Sequence, residues 1–280
     1  MSDKQFLAPA EIASYVVTTA CTKAASSAAK LLALGFVAGA YIALASNGST
    51  MIAHNLLINT DSYGLGRMLA GSIFGVGLIL VVAAGGELFT GNNLMVIGLL
   101  EKKITWREML RNWLIVYTGN FLGALLIAVF VAYSGLLNAS ANDFGGVTIR
   151  IAASKTGLPF HQAVILGILC NMLVCLAVWM AYGAKDITGK VFACFFPIWL
   201  FVSSGFEHSI ANMFYIPAGI LAVADPNLLE AAKISDSALA GLTWNNFFIK
   251  NLLPVTIGNV IGGCCLIGGV YWFSYLKKTS

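Results

Sequence analysis

The stretch Gly205-Phe206-Glu207-His208-Ser209-Ile210-Ala211-Asn212-Met213 sets a carboxylate and an imidazole inside the run Val191 to Ile220, which holds no other Asp, Glu, Lys, Arg or His. A charged side chain at bilayer depth costs about 2.5 kcal/mol or more even on the mildest scale, so such residues usually face a cavity or a pathway. The plainer reading is that Glu207 and His208 only hydrogen-bond neighbouring helices. A second copy of the pattern argues against it. Glu87-Leu88-Phe89-Thr90-Gly91-Asn92 again puts Glu and Asn five apart, inside another apolar segment.

The composition fits a protein built for lipid. The 280 residues are 59% hydrophobic and only 10% charged, with a mean hydropathy of +0.84, where soluble domains carry about 25% charged residues. A net charge of +4 with no long Lys/Arg run points neither to nucleic acid nor to a polybasic lipid patch. Cys170, Cys175, Cys194, Cys264 and Cys265 lie in apolar segments, without zinc-site spacing, and read as inert packing residues. No metal site, cofactor or catalytic group is expected. The first 29 residues lack the pattern of a signal peptide and read as an amphipathic helix lying along the membrane surface.

Six stretches approach or exceed the roughly 20 apolar residues a span requires: Lys30 to Ala45 with some extension, Leu65 to Leu100, Trp113 to Tyr133, Phe160 to Tyr182, Val191 to Ala222 and Leu252 to Tyr275. The second and fifth exceed the usual limit of about 25 residues and carry polar residues at their centres. They are expected to be broken helices: half a span, an irregular loop, then a second half. Irregular backbone at that depth is tolerated only where protein buries it or water lines it.

The third and sixth segments match too. Asn112 followed by Gly119-Asn120-Phe121-Leu122-Gly123 has the spacing of Asn251 followed by Gly258-Asn259-Val260-Ile261-Gly262. The first and fourth share a weaker pair, Leu34-Gly35 and Leu166-Gly167. The expected fold is therefore an all-α membrane protein of six transmembrane helices. They form two three-helix repeats, about 30–134 and 159–276 of a channel domain 30–280. Three is odd, so the second repeat enters upside down, and inverted repeats form substrate sites where their discontinuous helices meet. Glycines four apart, as at Gly35/Gly39, Gly71/Gly75, Gly119/Gly123 and Gly258/Gly262, are read as close helix contacts.

Eleven of the 16 Lys and Arg (Lys4, Lys23, Lys30, Lys102, Lys103, Arg107, Arg111, Lys185, Lys190, Lys277 and Lys278) fall at the termini or in two loops on one side. Arg67, Arg150, Lys155, Lys233 and Lys250 fall on the other. The positive-inside rule puts both termini in the cytoplasm of a multi-pass inner-membrane protein.

The run Ser204 to Met213, the run Gly86-Glu87-Leu88-Phe89-Thr90, Cys170-Asn171-Met172-Leu173-Val174-Cys175-Leu176-Ala177-Val178-Trp179 and Pro254-Val255-Thr256-Ile257-Gly258-Asn259 resemble signatures of the formate–nitrite transporter family. The resemblance covers nearly the whole chain and is weakest before Lys30 and in the external loops. It implies an aquaporin-like homopentamer with a pore in each protomer. It makes His208 the central pore histidine, with Thr90 as its hydrogen-bond partner, Asn171 the pore asparagine, Glu207 the buried glutamate behind the histidine and Lys155 the outer-vestibule lysine. It sets Phe74, Leu78 and Phe201 at an outer constriction, and Leu88, Phe89 and Val174 at an inner one. Gly91-Asn92-Asn93 and Glu87 look closer to the nitrite or hydrosulfide branches, so the anion stays open, with formate the first expectation.

These roles agree with simple physics. A positive vestibule concentrates a small anion, an apolar collar opposes its charge, and histidine exchanges protons near neutral pH. Broken-helix N-termini add partial positive charge for the anion. The expected partners are a small anionic substrate, lipid and further copies of the chain. A water or glycerol channel would share the broken-helix logic, but no paired Asn-Pro-Ala occurs. A membrane enzyme would need a catalytic constellation, and no His-Glu-x-x-His is present. A purely structural scaffold would not need two interrupted helices.

Overall fold

The computed structural model of the chain describes residues 6–277. Lys4 and Lys278 of the charge asymmetry, and the first residues of the N-terminal segment, lie outside them. In chain order the helices are α1 Pro9–Ala25, α2 Ala28–Leu57, α3 Tyr63–Ile79, α4 Val96–Leu100, α5 Trp106–Tyr133, α6 Asp143–Thr156 and α7 Phe160–Gly183. Then come α8 Ile187–Ser204, α9 Ser209–Ala222, α10 Pro226–Ala232, α11 Asp236–Gly241, α12 Trp244–Asn246, α13 Leu253–Val260 and α14 Val270–Tyr275. π-Helical stretches extend α3 (Leu80–Gly85) and join α12 to α14 (Phe247–Leu252 and Ile261–Gly269).

Among the described residues, six helical stretches are long and apolar enough to cross a membrane: Ala28–Leu57, Thr60–Gly85, Trp106–Tyr133, Phe160–Gly183, Ile187–Ser204 and Trp244–Tyr275. The breaks fall inside the second and fifth segments, as expected, but the two limbs of each are unequal. Thr60–Gly85, at 26 residues, is a full span in its own right, and the limb beyond the break is short: Gly91–Leu100 in one repeat, Ser209–Ala222 in the other. Glycine makes both breaks possible. Gly85 has φ +99° and Gly205 φ +82°, the left-handed region that side chains with a Cβ disfavour. Gly205 ends α8 with its N–H on the Val202 carbonyl, while the Phe206 N–H reaches Phe201, satisfying carbonyls a helix end otherwise leaves unpaired.

The paired glycines act as close contacts. A methyl placed on Gly39 or Gly123 would strike the backbone of Asn120 or Phe36, which locks α2 against α5. One on Gly258 or Gly262 would strike Val164 or Ile168, which locks α7 against α13 and the π-helical stretch that follows it.

Two helices depart from the sequence reading. α1 does not spend its apolar face on lipid: Ile12, Ala13, Val16, Ala20 and Ala24 are buried against the bundle. Leu7 N–H bonds the Gly183 carbonyl at 2.9 Å and Tyr15 stacks edge-on to Tyr182. The loop expected between the third and fourth spans holds α6, a helix buried along Phe144, Val147, Ile149 and Ala152. α1 and α6 occupy corresponding places, each immediately before the first helix of a repeat.

Candidate functional site

Each break is held by an asparagine from the last span of its own repeat. Asn120 accepts the Phe89 N–H at 3.0 Å and donates to the carbonyls of Gly35 (2.7 Å) and Glu87 (2.8 Å). Asn259 accepts the Ser209 N–H at 3.0 Å and donates to Gly167 (2.8 Å) and Glu207 (3.0 Å). The Glu87 and Glu207 N–H groups bond the carbonyls of Leu34 and Leu166. The weak Leu-Gly repeat in the sequence is thus the docking edge for both interrupted helices. Backbone groups at that depth have no water to turn to, which explains why both asparagines are fully buried.

The carboxylates form a second mirrored set. Lys155 Nζ lies 2.7 Å from Glu207 Oε1. Asn212 donates to Glu207 Oε2 at 2.6 Å and to Asn251 Oδ1 at 2.7 Å, and Asn251 donates to the Lys155 carbonyl at 2.9 Å. On the other side Lys23 Nζ lies 2.7 Å from both Glu87 oxygens. Asn92 donates to Glu87 Oε2 at 2.6 Å and to Asn112 Oδ1 at 2.9 Å, and Asn112 donates to the Lys23 carbonyl at 3.4 Å. One difference stands out. Lys23 also donates to Asn92 Oδ1 at 2.9 Å, whereas Asn212 Oδ1 has no partner among the described residues. Lys155 sits instead with its ammonium 5.3 Å from the Tyr215 ring centroid.

Lys23, Asn92, Asn112, Asn212 and Asn251 as a bonded set were missed in the sequence, where Lys23 counted only as a basic residue near the N-terminus. A signal was present: Lys23 precedes Gly35 by the same twelve residues that separate Lys155 from Gly167.

His208 stands at the N-terminus of α9 and is 3% exposed. Its Nδ1 accepts the Ala211 N–H at 3.1 Å and its Nε2 lies 2.9 Å from Thr90 Oγ1. With Nδ1 committed as an acceptor, the neutral ring carries its proton on Nε2 and donates it toward Thr90. The hydrogen bond joins the two breaks across 118 residues of sequence. Thr90 is held from behind, its carbonyl accepting from Asn171 Nδ2 (3.3 Å) and Cys175 Sγ (3.4 Å). Asn171 also donates to Asn93 Oδ1 (2.8 Å) and to the Asn259 carbonyl (2.7 Å), leaving its own Oδ1 without a partner among the described residues.

His208 lines a cavity of about 310 Å³ together with Lys155, Glu207, Arg67, Arg150 and Tyr215. Phe74 and Phe201 meet edge-on at 5.5 Å between centroids and line the same cavity, with the Phe201 ring 6.0 Å from the His208 ring. Leu78 is buried but does not line it. On the opposite side, the space lined by Lys23, Asn92 and Tyr182 is about 10 Å³. Leu88 and Val174 are buried. Phe89, expected beside them, turns the other way. Its ring packs on Tyr117 (4.8 Å) and Trp113 (5.6 Å) of α5 and lines a separate apolar groove with Leu253 and Val260. Side chains of adjacent residues in a non-helical segment leave on different sides, so Leu88 and Phe89 do not both face one conduit.

Two inverted sets of interrupted helices, with a buried imidazole bridging their breaks beside a charged cavity, define a class: multi-pass membrane channels and transporters. Residues 10–273 match the family described as Formate/nitrite transporter, and the chain belongs to that family, one of channels and transporters rather than enzymes. It is 39% identical over 274 residues to the protein named Formate channel FocA of Escherichia coli (strain K12), covering 97% of this chain and 95% of that protein. It is 38% identical over 287 residues to the Probable formate transporter of Methanothermobacter thermautotrophicus, covering 98% of each. Among solved structures it resembles one titled "Pentameric formate channel with formate bound", with a TM-score of 0.78 and 37% identity over 89% of this chain and 98% of that one.

Proposed function

We propose that this chain forms a homopentameric channel in the cytoplasmic membrane, with both termini in the cytoplasm, and that each protomer conducts small monovalent weak-acid anions, formate first among them. The observation that carries the reading is the His208–Thr90 hydrogen bond, with His208 lining the charged cavity. The name and title of two similar proteins, a formate channel and a pentameric one with formate bound, support the substrate and the assembly. The anion enters past Lys155 and Glu207 and meets the outer collar of Phe74, Phe201 and Leu78. It reaches His208 with Thr90 and Asn171 at its side, then leaves past Leu88 and Val174.

The geometry constrains how His208 lends a proton. Giving up the Nε2 proton from a neutral ring would leave an imidazolate, so the lending form carries a second proton on Nδ1. That nitrogen faces the Ala211 N–H at 3.1 Å, so gaining the proton breaks the cap of α9, a contact worth about 1 kcal/mol. Proton lending therefore couples to a local release at the start of α9, and the neutral resting ring keeps the conduit uncharged between passages.

Proteoliposome uptake of formate, nitrite and hydrosulfide, each at two pH values, tests the reading. Formate uptake that exceeds the other two and falls as pH rises supports it. Nitrite or hydrosulfide uptake in excess of formate assigns another branch of the family, and water flux without anion flux assigns a neutral-solute channel. The variant His208→Phe should change pH dependence or selectivity; formate flux unchanged between about pH 5 and 8, the interval in which histidine titrates, rejects proton lending.

A further inference from the structure

Among the described residues, the cavity lined by His208 is also lined by three cations, Arg67, Arg150 and Lys155, and by one carboxylate, Glu207. Lys155 and Glu207 are spent on each other at 2.7 Å, with side chains only 15% and 7% exposed. At any distance beyond the pair itself, their fields largely cancel. The two arginines differ. Arg67 Nη2 donates to the Val202 carbonyl and Arg150 Nε to the Ala232 carbonyl, and neither has a carboxylate partner among the described residues. A guanidinium has five N–H donors and keeps its charge throughout the physiological range. One bond to a carbonyl leaves most donors and the full charge for the cavity.

The corresponding space in the other repeat has no arginine in its lining. Among the described residues, the small space beneath α1 has Lys23 as its only charged lining residue, and Lys23 is bound to both oxygens of Glu87. The two repeats share the neutral Lys–Glu pair, and of the two spaces only the one beside His208 is also lined by arginines.

We propose that Arg67 and Arg150, rather than Lys155, set the positive potential that gathers monovalent anions at the outer entrance, and that the Lys155–Glu207 pair positions the entrance without attracting. This rests on the reading above that the channel carries anions. Both arginines also have a plainer role, since Val202 lies in the last turn of α8 and Ala232 ends α10, where a cation favours a helix C-terminus. The two roles separate in kinetics. A field that concentrates anions raises the rate at low substrate and is screened by salt. A cap that only holds the fold changes the number of working channels at every substrate level.

The test is initial formate uptake into right-side-out membrane vesicles, at subsaturating and saturating formate and at rising external ionic strength. It compares wild type, Arg67→Gln, Arg150→Gln, the double Gln variant and a double Lys variant that keeps both charges. The double Gln variant should lose about tenfold of the subsaturating rate, the low end of the range for charge-lined clefts. Each single variant should lose about threefold, if the two act additively. Saturating flux should move far less, the wild-type rate should fall with salt, and the double Lys variant should stay close to wild type. The inference is overturned if the wild-type rate ignores external salt, which needs no variant at all. It is also overturned if the double Gln variant keeps the wild-type rate and salt slope, or loses the same factor at low and high formate without rescue by lysine. Wild-type vesicles that pass no formate, nitrite or hydrosulfide overturn the channel reading itself and this inference with it.

Discussion

Replacing Asn259 with leucine, a side chain of nearly the same shape, isolates what one amide does at a helix break. Asn259 is fully buried and its amide makes three bonds, to the Ser209 N–H, the Gly167 carbonyl and the Glu207 carbonyl. Leucine removes all three while leaving those partners inside the protein. A buried polar group deprived of its partner costs about 1–3 kcal/mol. The Gly167 carbonyl lies within α7 and its loss is the smallest, so the total should be about 3–5 kcal/mol. At the 2–4 °C per kcal/mol expected for chains of roughly this size, the midpoint of thermal unfolding in detergent should drop by about 10 °C. The same substitution at Asn120 frees the Phe89 N–H and the carbonyls of Gly35 and Glu87, so its cost should match that of Asn259→Leu to within about 1 kcal/mol, a typical spread for single hydrogen bonds. Tryptophan fluorescence against temperature, with size-exclusion chromatography to count intact assemblies, reads both. Flux should fall in parallel, because Glu207 and Ser209 flank His208 while Phe89 adjoins Thr90. Wild-type melting of both variants would refute the claim that these amides hold the breaks.

Other substitutions probe the pairings directly. Thr90→Val removes the only hydroxyl bonded to His208 among the described residues and should change formate flux by about fivefold, the equivalent of roughly 1 kcal/mol for one hydrogen bond, whereas Thr90→Ser should stay near wild type in the same uptake assay. Lys23→Met leaves Glu87 unpaired at 12% side-chain exposure and should cost about 3 kcal/mol, the low end for breaking a buried pair. Adding Glu87→Gln should recover most of it, and a double-mutant cycle read by thermal melting that gave less than about 0.5 kcal/mol of coupling, the level of an exposed pair, would show the pair to be solvated. Acidification should raise formate flux through the wild type, since the lending form of His208 carries an extra proton; His208→Phe should flatten that slope in liposomes with an internal pH dye.

The sequence reveals most of the skeleton because bilayer physics limits what a chain can do with polar groups. Apolar length alone locates six spans, and buried Glu-x4-Asn and Asn-x6-Gly-Asn spacings mark which spans are interrupted and which brace them. Thr90 as the partner of His208 follows from the family resemblance, not from spacing. Three features were hidden for identifiable reasons. α6 carries charged and polar residues at a low average hydropathy, and its burial comes from α9 and α10, which are distant in sequence. Lys23 reads as a surface charge until Glu87 is folded beneath it, since long-range pairing has no local signature. Phe89 looks like a collar residue beside Leu88, and only the backbone of the break decides that it faces Trp113 and Tyr117.

The repeats agree where they brace and diverge where they meet. Lys, Glu and each Asn of one bonded set have a counterpart in the other, and the asparagines at both breaks bond corresponding backbone groups. By that same correspondence His208 aligns with Leu88, one residue after each glutamate, and Thr90 aligns with Ile210, three residues after. The diagonal His208–Thr90 is therefore polar, and the equivalent diagonal, Leu88 with Ile210, is wholly apolar and buried. A strictly symmetric centre would hold either two imidazoles or none. Two would allow one ring to hydrogen-bond the other instead of a passing anion, and none would leave only hydrocarbon, where an unaccompanied charge is prohibitively costly. Breaking the symmetry at these two positions leaves one polar diagonal and one apolar one where the breaks meet, and under the proposed function the polar diagonal is where an anion would be met once and released.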